Sequence, residues 1–185
     1  MLKQLKEWLK TELKDKAIFD LVVYGSAVKG KSRPNDLDIM VIFREGALKE
    51  RLEKIQSIKK KIQFAGKIDI QEILLKELFE ESFFGRTGIF LEGISVLDGK
   101  QFSSKIGFLG FSLFVYNLKD KTHTEKVKFN YVLSGRNGKG MVEKLEGKHL
   151  APGTVQVPIR NSLEFEEVLK LHNVEYSKKN VLVED

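Results

Sequence analysis

The sequence predicts an α/β (α+β) chain in two domains, and three observations predict it. Short apolar runs rich in β-branched residues alternate with segments whose apolar residues recur every three or four positions. Of 185 residues, 42% are apolar, enough for a sizeable core. After Gly99 the alternation gives way to an aromatic, glycine-dotted stretch. A boundary is therefore expected near Gly99–Ser104, dividing the chain into 1–100 and 101–185.

The elements follow in order. Leu2, Leu5, Trp8, Leu9 and Leu13 fall at helical spacing and predict a surface helix with one buried face. Ile18 to Tyr24 reads as a buried strand ending at Gly25-Ser26, and a polar stretch from Lys29 to Asn35 follows. Asp36 to Phe43 reads as a second strand, and Leu48 to Ile62 as an amphipathic helix. Lys67 to Ile73 alternates and predicts a third strand. A helix is expected over Leu74–Phe84 and a fourth short strand over Ile94–Leu97. Beyond the boundary, a helix capped by Thr124 is expected to Leu133, then a glycine loop Ser134–Gly140 and a short helix Met141–Leu145. Thr154–Ile159 and Tyr176–Val183 read as strands, with a helix between them capped by Ser162. Residues 101–185 thus read as a small α+β domain with sheet strands 106–116, 154–159 and 176–183. The run from 124 to 159 could equally be a winged-helix-like unit.

Composition narrows the chemistry. The chain has no cysteine, which excludes a disulfide scaffold, a thiolate metal site and a cysteine nucleophile, and fits a cytoplasmic protein. Three histidines stand at no metal-ligand spacing. No apolar stretch is long enough to span a membrane, and the amphipathic start is not that of a signal peptide. Charged residues make up 31%, with Lys and Glu dominant, which hints at a heat-adapted source. The net charge of +6 is uneven: residues 101–151 hold 9 bases against 4 acids, while 152–185 are net acidic. A basic segment is either a phosphate-binding footprint or a solvated surface.

The stretch that carries chemistry is Tyr24-Gly25-Ser26, a polar spacer, then Asp36-Leu37-Asp38 and its apolar continuation. In a strand, Asp36 and Asp38 project from one face. Adjacent carboxylates repel unless a cation sits between them, and an all-oxygen set suits Mg²⁺ or Mn²⁺. Asp69 is flanked by Ile68 and Ile70. If these two face a core and this strand pairs beside the first, the three acids converge, an arrangement suited to phosphoryl or nucleotidyl transfer. Gly25 allows close backbone approach, and the Ser26 hydroxyl can hold a phosphate.

This order of motifs resembles the nucleotidyltransferase superfamily typified by DNA polymerase beta, and within it the minimal nucleotidyltransferases of prokaryotes. The carrying residues are Gly25-Ser26, nine intervening residues, Asp36-Leu37-Asp38 and Asp69. Gly88 to Leu97 also looks like the family's closing helix and strand. Lys29-Gly30 stands where many members have Arg-Gly, and Asn35 where many have Ser. The resemblance covers residues 1–100. It implies a mixed sheet flanked by helices, and a metal-dependent transfer of NMP from an NTP, expected to be ATP, to a hydroxyl acceptor with release of pyrophosphate. Asp36, Asp38 and Asp69 would hold two Mg²⁺ (or Mn²⁺) ions, with Asp69 helping to take the acceptor's proton. Gly25 and Ser26 would contact phosphates, and Lys29 and Arg33 would offset their charge.

In the second domain, Lys126, Lys128, Arg136 and Lys139 are candidate nucleic-acid contacts, with Phe129 and Tyr131 interleaved. The competing reading makes Val127, Tyr131 and Leu133 core positions of a helix whose lysines point to water. An RNA or other nucleic-acid acceptor is the leading expectation. A protein-modifying or antitoxin-type enzyme working with a partner protein is the second. A non-catalytic nucleic-acid-binding protein on the same fold is the third. A homodimer is compatible with each.

Overall fold

The computed structural model describes residues 2–29 and 35–185, which form two compact units, 1–108 with Asp185 and 109–184. The first unit is built on a four-stranded sheet ordered β3-β2-β1-β4. β1 (Ile18–Tyr24) runs antiparallel to β2 (Asp36–Phe43), and β2 runs parallel to β3 (Lys67–Leu74). β4 is only Ile94–Ser95, because the turn through Asp98-Gly99 folds the chain back, Gly99 N–H donating to Ser95. β2 is central, and Leu37 and Ile39 to Phe43 are all buried, as expected of a strand covered on both faces.

One face carries Leu21, Val23, Leu37, Ile39 and Val41, covered by Leu5 and Leu9 and by Ile55 and Ile58 of helix α2 (Leu48–Lys61). Helix α1 spans only Leu2–Trp8; a 3-10 turn at Glu12–Lys14 replaces its expected end. The bonds from Leu9 to Leu5 and from Leu13 to Leu9 keep the helical spacing, so the leucines still face inward. Three ion pairs bind α2 down, Lys61 to buried Glu12, Lys54 to Asp15 and Arg51 to Glu72 on β3.

The opposite face carries Val22, Met40, Ile42 and Ile73, and is covered by Leu78, Ile89 and Phe102. The helix expected over Leu74–Phe84 is a 3-10 turn, Leu75–Phe79. Beyond it the Arg86 guanidinium donates to the carbonyls of Phe83 and Glu81, acceptors that a continuing helix would have used itself. The expected closing helix is one π-helical turn, Gly88–Glu92. Buried Asp20 anchors this covering segment to β1. Its carboxylate accepts from the Ser95 hydroxyl at 3.0 Å and lies 3.3 Å from the Lys105 ammonium. Burial raises its pKa, against the pull of Ser95 and Lys105. With Phe102 buried here, the first unit runs past the expected Gly99–Ser104 boundary to Phe108.

The second unit holds β5 (Phe108–Tyr116), α3 (His123–Ser134), α4 (Met141–Lys144), β6 (Lys148–Ala151), β7 (Thr154–Pro158), α5 (Ser162–Leu171) and β8 (Tyr176–Glu184). Its sheet is ordered β6-β7-β5-β8, a split β-α-β arrangement rather than a winged helix. Phe114, Tyr116, Val155 and Val157 line one face and pack against Phe129, Leu133, Phe165 and Leu169. Strand β6 has no counterpart in the expected elements; all four of its residues are exposed, so no apolar alternation marks it. Thr122, not Thr124, caps α3: its hydroxyl accepts from Glu125 N–H, and Glu125 accepts from Thr122 N–H at 2.8 Å. The reason is that Glu stands three residues after Thr122, completing a capping box that Thr124 could not make. Asn161 precedes α5 at the cap position expected for Ser162, its side chain donating to the Leu145 carbonyl. Tyr131, one of the expected core positions, is 46% exposed; the buried aromatic of α3 is Phe129.

Glu166 ties α5 to β8, accepting from the Tyr176 hydroxyl at 2.7 Å and from Lys178 at 3.1 Å. Burial alone would raise its pKa, but the bonds from Tyr176, Lys178 and Lys170 outweigh it and hold the carboxyl at about 2. A depressed carboxylate stabilises the fold above its unfolded pKa, and that contribution is lost as the pH falls through the folded value. Thermal melts of the wild type should therefore lose stability between about pH 4.5 and pH 2, and Glu166→Gln should flatten that part of the profile. Equal acid sensitivity in both proteins would contradict this role.

Candidate active site

The site lies where β1 ends and β2 and β3 begin. The register places Tyr24 opposite Asp38 and Asp38 opposite Asp69, so three side chains form a row across adjacent strands on one face. Asp36 is paired with Lys67 one step further out. The expectation that Asp36, Asp38 and Asp69 share a face depended on β3 lying beside β2, and it does. Ile68 and Ile70 turn to the α2 side, which leaves Asp69 on the other.

Gly25 follows Tyr24 with φ +73°, and a Cβ there would stand 2.5 Å from Asp38 Oδ2. Glycine is required twice, by its backbone conformation and by its approach to the carboxylate. It opens the 3-10 turn Gly25–Val28, which brings Ser26 to the same corner. Gly88 lets the π-helical turn press on the Tyr24 ring, since a Cβ there would lie 3.2 Å from it.

The electrostatics of the row are unrelieved. Burial, then the charges of Asp69 and Asp36, raises the Asp38 pKa, and Lys67 opposes them. Burial, then Asp38 and Asp69, raises the Tyr24 hydroxyl. A carboxyl raised by burial and by two neighbouring carboxylates belongs to a donor set suited to a hard cation. Among the described residues, no three acids or histidines are grouped closely enough to hold a metal ion by themselves. The acids line an open sheet end, which fits an ion that takes further ligands from substrate phosphates.

Other expected site residues are placed differently. Lys29 pairs with Glu92 of the π-helical turn at 2.9 Å. Arg33 lies outside the described residues. In the second unit Lys126 and Lys128 stand two apart on α3 and so point to different sides. Lys128 lines a cavity of about 240 Å³ with Lys121 and His172. Arg136 lies 5.3 Å over the Tyr131 ring, and Lys139 pairs with Glu143. Lys126 and Lys128 are on α3, whereas Arg136 and Lys139 lie in the loop beyond its end, so the four bases are not presented by one element. Sequence reasoning missed Tyr24 and Lys67. The period-two rule could have found Lys67, two residues before Asp69 on one strand.

Gly25→Ala should lower the stability of the first unit by about 1–3 kcal/mol and displace Asp38. Calorimetric melting and Mg²⁺–ATP titration of the variant would check this; unchanged values in both would contradict the close packing.

Among curated proteins none matches the chain. Residues 3–89 match the family model described as polymerase beta, nucleotidyltransferase. That span runs from α1 to the start of the π-helical turn and contains Gly25-Ser26, Asp36, Asp38 and Asp69. The match covers 87 of the 185 residues, all in the N-terminal unit, whose mixed sheet and motif order are similar to those of the DNA polymerase beta-like nucleotidyltransferase superfamily.

Proposed function

We propose that the protein is a cytoplasmic, metal-dependent nucleotidyltransferase that moves NMP from an NTP, ATP first among the candidates, to a hydroxyl of RNA or another nucleic acid. The observation that carries this reading is the placement of Asp36, Asp38 and Asp69 on one sheet face beside the Gly25–Ser26 turn. Those three carboxylates would hold two Mg²⁺ or Mn²⁺ ions, whose charge would offset that of the phosphates and lower the pKa of the acceptor hydroxyl. Gly25 and Ser26 supply a backbone and hydroxyl surface for the β- and γ-phosphates. Lys29 stands at the end of the same turn and, held by Glu92, gives that corner a fixed cation. In the transfer, the acceptor oxygen bonds to the α-phosphorus and the bond to the bridging oxygen breaks. Pyrophosphate leaves, and the hydroxyl proton passes to the Asp69 carboxylate. Lys67, paired in register with Asp36, balances charge on the β3 side of the row. The basic excess of residues 101–151 supports an anionic acceptor.

The test is incubation with each labelled NTP, with Mg²⁺ or Mn²⁺, against RNA, DNA and protein acceptors. The expected result is label on nucleic acid with wild type, falling to background with Asp36→Ala/Asp38→Ala. No transfer by wild type, or equal transfer by the variant, would refute the reading.

A further inference from the structure

The second unit contains a cavity that the metal-site chemistry does not use. It lies between the end of β5, helix α3 and the β6–β7 hairpin, with a volume of about 450 Å³. That is within the range of small-ligand sites. Tyr116, Asn130, Ser134 and His149 supply its polar groups, and Leu118 and Pro152 its apolar walls. Asn130 and Ser134 are one helical turn apart on α3 and so face it together. Among the described residues, no hydrogen bond within the protein engages the Tyr116 hydroxyl, the Asn130 amide, the Ser134 hydroxyl or the His149 ring. Tyr116 is only 9% exposed, and burial raises the pKa of its phenol. Its hydroxyl is not one of the sealed, unpartnered polar atoms among the described residues, so it reaches the open cavity and can bond a ligand there. No carboxylate or ammonium lines the cavity. Its groups both donate and accept, which suits a flat, uncharged, hydrogen-bonding ring.

The loop Ser134–Gly140 begins at the cavity rim. It is folded so tightly that a Cβ on Gly135 would lie 1.9 Å from the Gly138 carbonyl, and one on Gly140 2.1 Å from that of Leu133. The backbone N–H groups of residues 136–140 donate to no protein acceptor among the described residues. Successive free N–H groups on a tight loop make an anion-binding concavity. Arg136 and Lys139 are on the same loop, and Lys148 adjoins His149. An uncharged hydrogen-bonding cavity beside a basic glycine loop has the division of chemistry found in a nucleotide.

We infer that this cavity and loop form a nucleotide subsite, the cavity taking a nucleobase and the Ser134–Gly140 loop its phosphate. It deepens the acceptor half of the function proposed above, and its ligand is one nucleotide of the acceptor strand. Asn130 and Ser134 read the base edge, Tyr116 and His149 bond to it from the sheet side, and Arg136 meets the phosphate.

The test uses full-length protein carrying Asp36→Asn/Asp38→Asn, titrated in EDTA by calorimetry and NMR, so that it does not depend on nucleotidyl transfer. The probes are the four ribonucleoside 5′-monophosphates and a single-stranded RNA hexamer. Saturable binding is expected, weakened about tenfold by Asn130→Ala or Ser134→Ala. Tyr116→Phe keeps the ring packing and removes only the hydroxyl, and should also weaken binding. Arg136→Ala should weaken all four monophosphates alike and reduce the salt dependence of RNA binding by about one ion. Absence of saturable binding to every probe overturns the subsite. So does binding that Asn130→Ala and Ser134→Ala leave unchanged. Binding without transfer activity in the unsubstituted protein would refute the enzyme reading and leave the subsite standing.

Discussion

The parallel pairing of β2 with β3 is the constraint on which the first unit depends. Parallel neighbours cannot be joined by a hairpin; the chain must cross back over the sheet. Helix α2 makes that crossing, and its apolar stripe, with Ile55 and Ile58, becomes the cover of one face. The crossing returns the chain to the end of the sheet where β2 starts, so Asp69 arrives beside Asp38. The other face is left to a segment without long helices. It is held by Phe102 and by the buried Asp20–Ser95–Lys105 group, and it leaves the carboxylate corner open. The packing that stabilises the sheet and the opening that exposes the acids are two sides of one topology.

Much of this was legible in the sequence because periodicity is a direct consequence of burial. Ile18–Tyr24, Asp36–Phe43 and Lys67–Ile73 announce their strands by runs or alternation, and Leu48–Ile62 its helix by spacing. The three acids could be assigned to one face from the strand period and the isoleucines around Asp69. Elements held by irregular means were not legible. The segment after Leu74 has enough apolar residues for a helix, yet Arg86 claims its carbonyls. Strand β6 has no buried residue, so nothing in its composition distinguishes it from a loop. The cap of α3 is legible in the sequence: Thr122 and Glu125 form the capping-box pair, which Thr124 and Val127 cannot. The basic residues of 101–151 were visible as a sum, whereas the parting of Lys126 from Lys128 around α3, and of both from the loop bases Arg136 and Lys139, is a property of the fold.

The two units use charge in opposite ways. In the first, like charges are crowded, and the Asp38 carboxyl is pushed up by burial and then by its acidic neighbours. In the second, Glu166 is surrounded by cations and a phenol and is pulled down. The first arrangement stores repulsion at an open surface, where a ligand can relieve it. The second is already satisfied and joins helix to strand. Titratable clusters of similar composition thus separate into binding surface and structural clasp by whether the partner charge is supplied within the fold.

Strand β3 is an outer strand, with one row of backbone groups facing away from β2. Lys67, Asp69 and Gln71 are exposed along it, and Ile68 and Ile70 lie half-buried between them. A bare apolar strand in that position would invite a second copy to extend the sheet. An antiparallel second copy with its two-fold axis at Asp69 would set that carboxylate against itself, and like charges directly opposite one another on paired strands repel. A carboxylate exposed on that margin thus disfavours the one register in which it would meet its own copy.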